Sequence, residues 1–102
     1  MTDLDPLFKA FADPTRRRIL HLLARKPSLC VCHIIDVLAQ PQPTVSRHLA
    51  YLKRSGVVAD RKDGSWRHYS LVRNRDVARL LSCLDGRFDT DLRRLDKAAK
   101  CR

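Results

Sequence analysis

A chain of 102 residues with 44% hydrophobic content sets the size of one compact domain with a small core, which dimerisation would usefully extend. Lysine and arginine number 21 against 11 acids, for a formal net charge of +10 and a pI near 10.2; that excess points first to nucleic acid, with an anionic membrane surface as the rival. No apolar run approaches the roughly 20 residues of a spanning helix and no apolar signal-peptide core follows Met1, so no membrane insertion is expected, a cytoplasmic location is, and Cys30, Cys32, Cys83 and Cys101 point to metal or redox chemistry rather than a disulfide framework.

In chain order, Asp5-Pro6 has the form of an N-cap followed by proline at the first helical position. Leu7, Phe8 and Phe11 then place an apolar stripe, suited to a partner, on a short first helix. Asp13-Pro14 repeats the signal and launches a second helix from Thr15 to Ala24, with Ile19, Leu20, Leu22 and Leu23 largely buried. Arg16, Arg17 and Arg18 occupy its first turns, against the helix dipole, and are read as a solvated charged face in preference to an anion site. Lys26-Pro27-Ser28 is a break, after which Ser28 is placed to cap a short third helix containing Val31, Ile34, Ile35 and Leu38. Gln40 to Gln42 is a tight link to the next element.

The central stretch runs from Gln42 to Leu71. Pro43 suits the first helical position, with Gln42 or Thr44 near enough to help cap the freed amides. Val45, Leu49 and Leu52 recur at i, i+4 and i+7 and form one packed face, while Ser46, Arg47, Ala50, Tyr51 and Arg54 point the other way. Gly56 is the expected left-handed residue beyond the helix. From Val58 the period becomes that of a strand, Asp63-Gly64 supplies a two-residue type I′ turn, and Ser65 to Leu71 returns, setting Asp60 opposite Arg67 and Val58 opposite Tyr69. Arg61, Lys62, Arg67 and His68 lie near the tip of this hairpin, where they can follow a phosphate backbone. Trp66 is read as packing at the hairpin's base.

After the hairpin, Val77, Leu81, Leu84, Phe88 and Leu95, supported by Leu80 and Leu92, hold an apolar seam through a long final helix that needs a second surface. The expected fold is therefore mainly α with a two-stranded β-hairpin wing: a winged helix-turn-helix, homodimeric through its first and last helices. Residues 1–102 are expected to form one such domain with a C-terminal dimerisation helix and a short basic tail.

The segments FADPTRRRIL, LCVCHI, QPTVSRHLAYLKRSGVV and DRKDGSWRHYSL together resemble the ArsR/SmtB family of winged-helix, metal-sensing transcription repressors, over roughly Leu7 to Val72. The resemblance implies a homodimer that binds double-stranded operator DNA, leaves it when a metal or metalloid binds, and is not an enzyme. It also implies that the LCVC segment is a thiolate site of the kind that senses arsenite, antimonite, cadmium or lead. Two positions depart from the family pattern: His33 stands where an acidic residue usually follows the second cysteine, and Ile35 where arsenite sensors of the best-known type carry a third cysteine. The final helix also lacks the histidines of the family's zinc site.

The candidate metal ligands are Cys30 and Cys32, since thiolates suit soft ions such as As(III) or Sb(III), with Cd(II) and Pb(II) as further candidates. Residues i and i+2 lie about 200° apart on an ideal helix, so both sulfurs reach one ion only where the first turn distorts or has not begun. Cys101 is the favoured third ligand, with Cys83 and His33 behind it. For DNA, Thr44, Ser46 and Arg47 are the base-edge candidates, Arg47 through a bidentate contact to guanine. Gln42 and His48 join that surface, and Tyr51, Lys53, Arg54, Arg61, Lys62 and Arg67 are expected on phosphates. A thiol redox regulator in which Cys30 pairs with another cysteine is the alternative. A small thiol reductase is disfavoured, because no βαβ thioredoxin pattern surrounds the CxC.

Overall fold

The computed structural model describes residues 4–83, 91 and 93–95. Its elements are α1 (Asp5–Phe11), α2 (Pro14–Arg25), β1 (Leu29–Cys30), α3 (Val31–Leu38), α4 (Gln42–Arg54), β2 (Val58–Asp63), β3 (Trp66–Leu71) and α5 (Arg75–Ser82). The α3–α4 pair followed by the β2–β3 hairpin is the winged helix-turn-helix expected from the periodicities.

Apolar side chains at helical spacing converge on one centre. Ile19, Leu20, Leu22 and Leu23 of α2 meet Ile34, Val37 and Leu38 of α3 and Val45, Leu49 and Leu52 of α4, and Val57, Val58, Leu71, Val77 and Leu95 close the cluster. Burying a Leu or Ile side chain stabilises by about 1.5 to 3 kcal/mol, so α2, with four such residues at the centre, is the scaffold on which α3, α4 and the hairpin rest. The α1 stripe divides: Phe11 is buried and Leu7 packs against the core, while Phe8 is 54% exposed.

The caps correct the sequence expectation at three of four helix starts. Asp13 caps α2 as expected, its carboxylate accepting from the Arg16 amide at 3.1 Å. Asp5, by contrast, is inside α1, whose N-cap is Leu4. Ser28 does not cap α3, because the chain first makes β1 and enters the helix from Cys30 in extended geometry. Neither Gln42 nor Thr44 caps α4; Pro41 is its N-cap and brings no side-chain acceptor, which leaves that helix end open to an external anion.

The sheet corrects the expectation of two strands. β1 adds to the outer side of β3, giving the antiparallel order β1-β3-β2, with Leu29 opposite Tyr69 and Cys30 opposite His68. The hairpin register is also shifted by two residues: Asp60 faces Tyr69, Val58 faces Leu71 and Lys62 faces Arg67. Asp63 pairs with Trp66, so the turn is Gly64-Ser65 rather than Asp63-Gly64. Gly64 has φ of +62° while Ser65 lacks a positive φ, which is the type II′ pattern and not I′. A slip of two keeps every side chain on its expected face, because the strand period is two.

At the C-terminal side, Asn74 caps α5 by accepting from the Val77 amide at 2.9 Å, and Val77 is buried. Of the expected seam, Leu80 and Leu81 are partly buried and Leu95 is buried. Leu84, Phe88 and Leu92 lie outside the described residues, as do Cys101 and the basic tail.

Candidate nucleic-acid interface and thiol pair

The N-terminal arginines are not the solvated face the sequence suggested. Arg16 donates to the carbonyls of Lys9 and Ala10 at 2.8 and 3.1 Å, and Arg17 to that of Phe11 at 2.8 Å. These are the last carbonyls of α1, where a helix needs donors and favours cations, so the two side chains fasten α1 to the start of α2. Arg18 instead holds Asp91 through two bonds of 2.7 and 2.8 Å. Asp91 is 5% exposed, and the same hydrogen-bonded carboxylate raises the Arg18 guanidinium pKa above its ordinary value.

On α4 the amphipathic period does what it promised. Val45, Leu49 and Leu52 are buried, and Gln42, Ser46, Arg47, Ala50, Lys53 and Arg54 are exposed. Arg47, Arg61 and Lys62 make no ion pair among the described residues, so three cations of the expected interface stand ready for phosphates or base edges. Thr44 and Tyr51 are half-buried. The Arg16 guanidinium lies 4.1 Å from the Tyr51 ring centroid and that of Arg54 lies 5.8 Å from it, so one ring links α2 to the cationic face. His48 turns inward, its Nδ1 3.5 Å from Arg16 Nη1 and 3.7 Å from Asp13 Oδ2. A contact from His48 to DNA would compete with those neighbours.

The wing is aimed by one carboxylate. Asp60, with 9% of its side chain exposed, bonds Lys53 of α4 at 2.9 Å and Arg67 of β3. Those hydrogen bonds, Lys53 first and then Arg67, hold the Asp60 carboxyl below the usual carboxylate range, against the opposing effect of burial. Burial, and then the Asp60 charge, push the Tyr69 hydroxyl upward. Sequence pairing anticipated an Asp60–Arg67 bridge, and it forms diagonally across the shifted register; the third partner, Lys53, was missed because it comes from another element. Trp66 is the other miss. It closes the turn at the tip rather than packing at the base, and is 38% exposed.

The CxC geometry resolves the spacing problem. Cys30 is extended, with φ of −65° and ψ of 141°, and α3 begins only at Val31. The two sulfurs therefore fall on the same side and lie 3.0 Å apart instead of diverging by two-thirds of a turn. Cys30 is 2% exposed and carries a free thiol, whereas Cys32 is half-buried and disulfide-bonded, so the two sulfurs are both available to an ion only after reduction. Thiolates about 2.3 Å from a tetrahedral ion sit roughly 3.7 Å from each other, so the pair need open by less than about 1 Å to share one ion. Among the described residues no group of three or more His, Cys, Asp or Glu is spaced to hold a metal; Cys83 is exposed at the C-cap of α5, where its thiol donates to the Arg79 carbonyl at 3.8 Å, and it does not complete a site with Cys30 and Cys32. No described helix is long and apolar enough to cross a membrane.

Residues 13–60 match the family described as bacterial regulatory protein, arsR family. An uncharacterised helix-turn-helix transcriptional regulator of Methanocaldococcus jannaschii is 52% identical over 79 residues, which are 78% of this chain and 88% of that one. The arsenical resistance operon repressor of Escherichia coli is 52% identical over 65 residues, 64% of this chain and 56% of the repressor. Among solved structures, the AntR antimony-specific transcriptional repressor superimposes with a TM-score of 0.67 at 34% identity, over 76% of this chain and 68% of that one.

Proposed function

The chain belongs to the arsR family of bacterial regulatory proteins, which are DNA-binding transcriptional regulators and not enzymes, and from that premise we propose a homodimeric repressor released from its operator when As(III) or Sb(III) binds Cys30 and Cys32 in the reduced protein. The observation that carries this reading is the 3.0 Å separation of the two sulfurs. The two sulfurs already stand side by side, and reduction of the disulfide at Cys32 is what turns them into a two-thiolate seat. Relatives named for arsenical resistance and for antimony support the choice of a soft metalloid over zinc. Cd(II) and Pb(II) share the softness, and Cys101 is proposed as third ligand.

The DNA side of the proposal rests on Arg47, Ser46, Thr44 and Gln42 at the start of α4 for the major groove. Arg54, Lys53, Arg61, Lys62 and Arg67 take the phosphates, with Tyr51 and His48 supporting them from half-buried positions. Two copies joined through α1 and the final helix would set two such surfaces on half-sites about one helical turn apart. Phe8, large and exposed on α1, is the apolar side chain such a contact would cover.

The switch follows from connectivity. Because the pair is preformed, no unwinding of α3 is required, which replaces the bending that i, i+2 spacing on a helix would demand. Cys30 pairs with His68 on β3, and α3 leads through Ala39, Gln40 and Pro41 into α4. Spreading the sulfurs therefore pushes on the wing and the reading helix together. Release needs only that the ion prefer the DNA-free arrangement, by a coupling of about 1 to 3 kcal/mol, and DNA must then weaken the ion by the same factor.

Titrating reduced protein on a labelled duplex with As(III), Sb(III), Cd(II), Pb(II) and Zn(II) tests the reading. Cys30→Ser and Cys32→Ser should bind the duplex normally and fail to release it. Release of both variants at wild-type arsenite concentrations would sink the proposed site. The same sulfur proximity favours a second reading, in which an oxidant removes two hydrogens as Cys30 joins another cysteine. Intact mass separates them: a gained arsenic atom supports the first, and a loss of two hydrogens with release by peroxide alone supports the second.

A further inference from the structure

Trp66 is a large apolar side chain at the end of the wing and is 38% exposed, among the few large apolar side chains that the described residues leave open to solvent. It closes the Gly64-Ser65 turn opposite Asp63, one pair beyond Lys62 and Arg67, and every residue from Arg61 to Arg67 is exposed. The tight turn closes the wing tip and the Asp60 bridge ties the wing to α4, so the backbone that carries Trp66 is held in place relative to α4.

We propose that Trp66 is a DNA-contacting residue: with α4 in the major groove, the wing tip reaches the adjacent minor groove, and the indole packs on the sugar edges and base faces there. The inference rests on the DNA-binding reading above and adds an apolar contact to it. Charge complementarity selects the occupant. The ring is flanked by Lys62, Arg67 and Arg61, on a chain of net charge +10, which disfavours an apolar protein groove and suits an apolar wall bounded by two rows of phosphates. Asp63, whose carboxylate lies 4.0 Å from His68 Nε2, counts against a tip that contacts phosphates alone. An indole needs no phosphate: stacking and van der Waals contact with sugar and base tolerate the Asp63 carboxylate, one residue before the turn.

Trp66 is the only tryptophan, so emission from the full-length reduced protein reports this ring and no other. The probe is a duplex of about 30 base pairs, long enough for two half-sites, selected from a randomised pool by the immobilised protein. In the saturated complex the acrylamide quenching constant of Trp66 should fall at least about two-fold, and Trp66→Ala should lose about ten-fold in affinity with its salt dependence unchanged. Trp66→Phe should restore most of that loss. An unchanged quenching constant in the saturated complex overturns the inference whatever the variants do, and so does wild-type affinity of a folded Trp66→Ala. If the protein selects and binds no duplex, as read by anisotropy of the labelled DNA, the DNA-binding reading itself fails and this inference falls with it.

Discussion

Two sets of arginines, alike in the sequence, are put to opposite uses. Arg16, Arg17 and Arg18 at the start of α2 are spent inside the protein, on the last carbonyls of α1 and on Asp91. Arg47 on α4 and Arg61 on the wing are exposed and make no ion pair among the described residues. The difference teaches that a net charge of +10 is no measure of the charge offered to DNA. Some of it is architectural, and composition does not say which.

The sharpest way to break this division is Arg18→Ala, which strips a buried carboxylate of its partner. Asp91 is 5% exposed and cannot regain its hydration without moving, so the variant should lose about 2 to 4 kcal/mol of stability in urea denaturation. The partial exposure of Arg18, 23% of its side chain, keeps the figure below that of a fully buried pair. Arg18→Ala combined with Asp91→Ala should recover part of the loss, because no buried charge is then left unpaired. If Arg18→Ala unfolds like the parent but binds DNA less tightly, Arg18 belongs to the interface and the division is wrong.

Arg47→Ala sharpens the other side. It should leave the urea midpoint within about 0.5 kcal/mol of the parent, since nothing in the fold leans on the side chain. It should cost roughly 1 to 3 kcal/mol of operator affinity and relax one base position. Arg61→Ala should weaken all sequences alike and flatten the salt dependence, as expected of a phosphate contact. Equal loss of specificity from both would show that reading helix and wing have been misassigned.

How much of this was legible beforehand depended on how local the cause was. The faces of α4, the Asp13 cap and Gly56, with φ of +78° beyond α4, follow from interactions spanning a few residues, and the sequence declared them. Strand β1 is two residues long and exists only because β3 offers it an unpaired edge; no two-residue period can announce that. The same distant pairing delays the start of α3 past Cys30, and so it decides the geometry of the thiol pair. The hairpin slip has a subtler origin. Asp63-Gly64 and Gly64-Ser65 are both acceptable turns, and a shift of two leaves the buried face intact, so only the fit of Val58 and Leu71 to the core chooses between them. The fates of Arg16 to Arg18 were hidden because their partners are backbone carbonyls and a residue 73 positions away.

The smallest effect comes from Asp60, and its direction separates position from charge. Asp60→Asn raises the net charge by one, which by electrostatics alone should tighten binding to any duplex. Yet the carboxylate is what joins Lys53 of α4 to Arg67 of β3. Without it the wing loses its aim while both cations are freed to solvent. The variant should therefore bind nonspecific DNA as tightly as the parent or slightly better, and the operator several-fold more weakly. Its stability should fall by only about 1 kcal/mol, because Lys53 and Arg67 are half-exposed and solvent screens the network. The pH dependence has a definite sign. A carboxylate whose pKa is lowered by folding stabilises the fold above its unfolded value near 3.9, and that contribution is lost only as pH falls through the lower folded value. The wing bridge should thus be constant across the neutral range and fail below about pH 4, and Asp60→Asn should abolish that acid-dependent step in amide exchange of β2 and β3. Tighter operator binding by Asp60→Asn would mean that the wing acts through its charge alone, and that its placement against α4 counts for nothing.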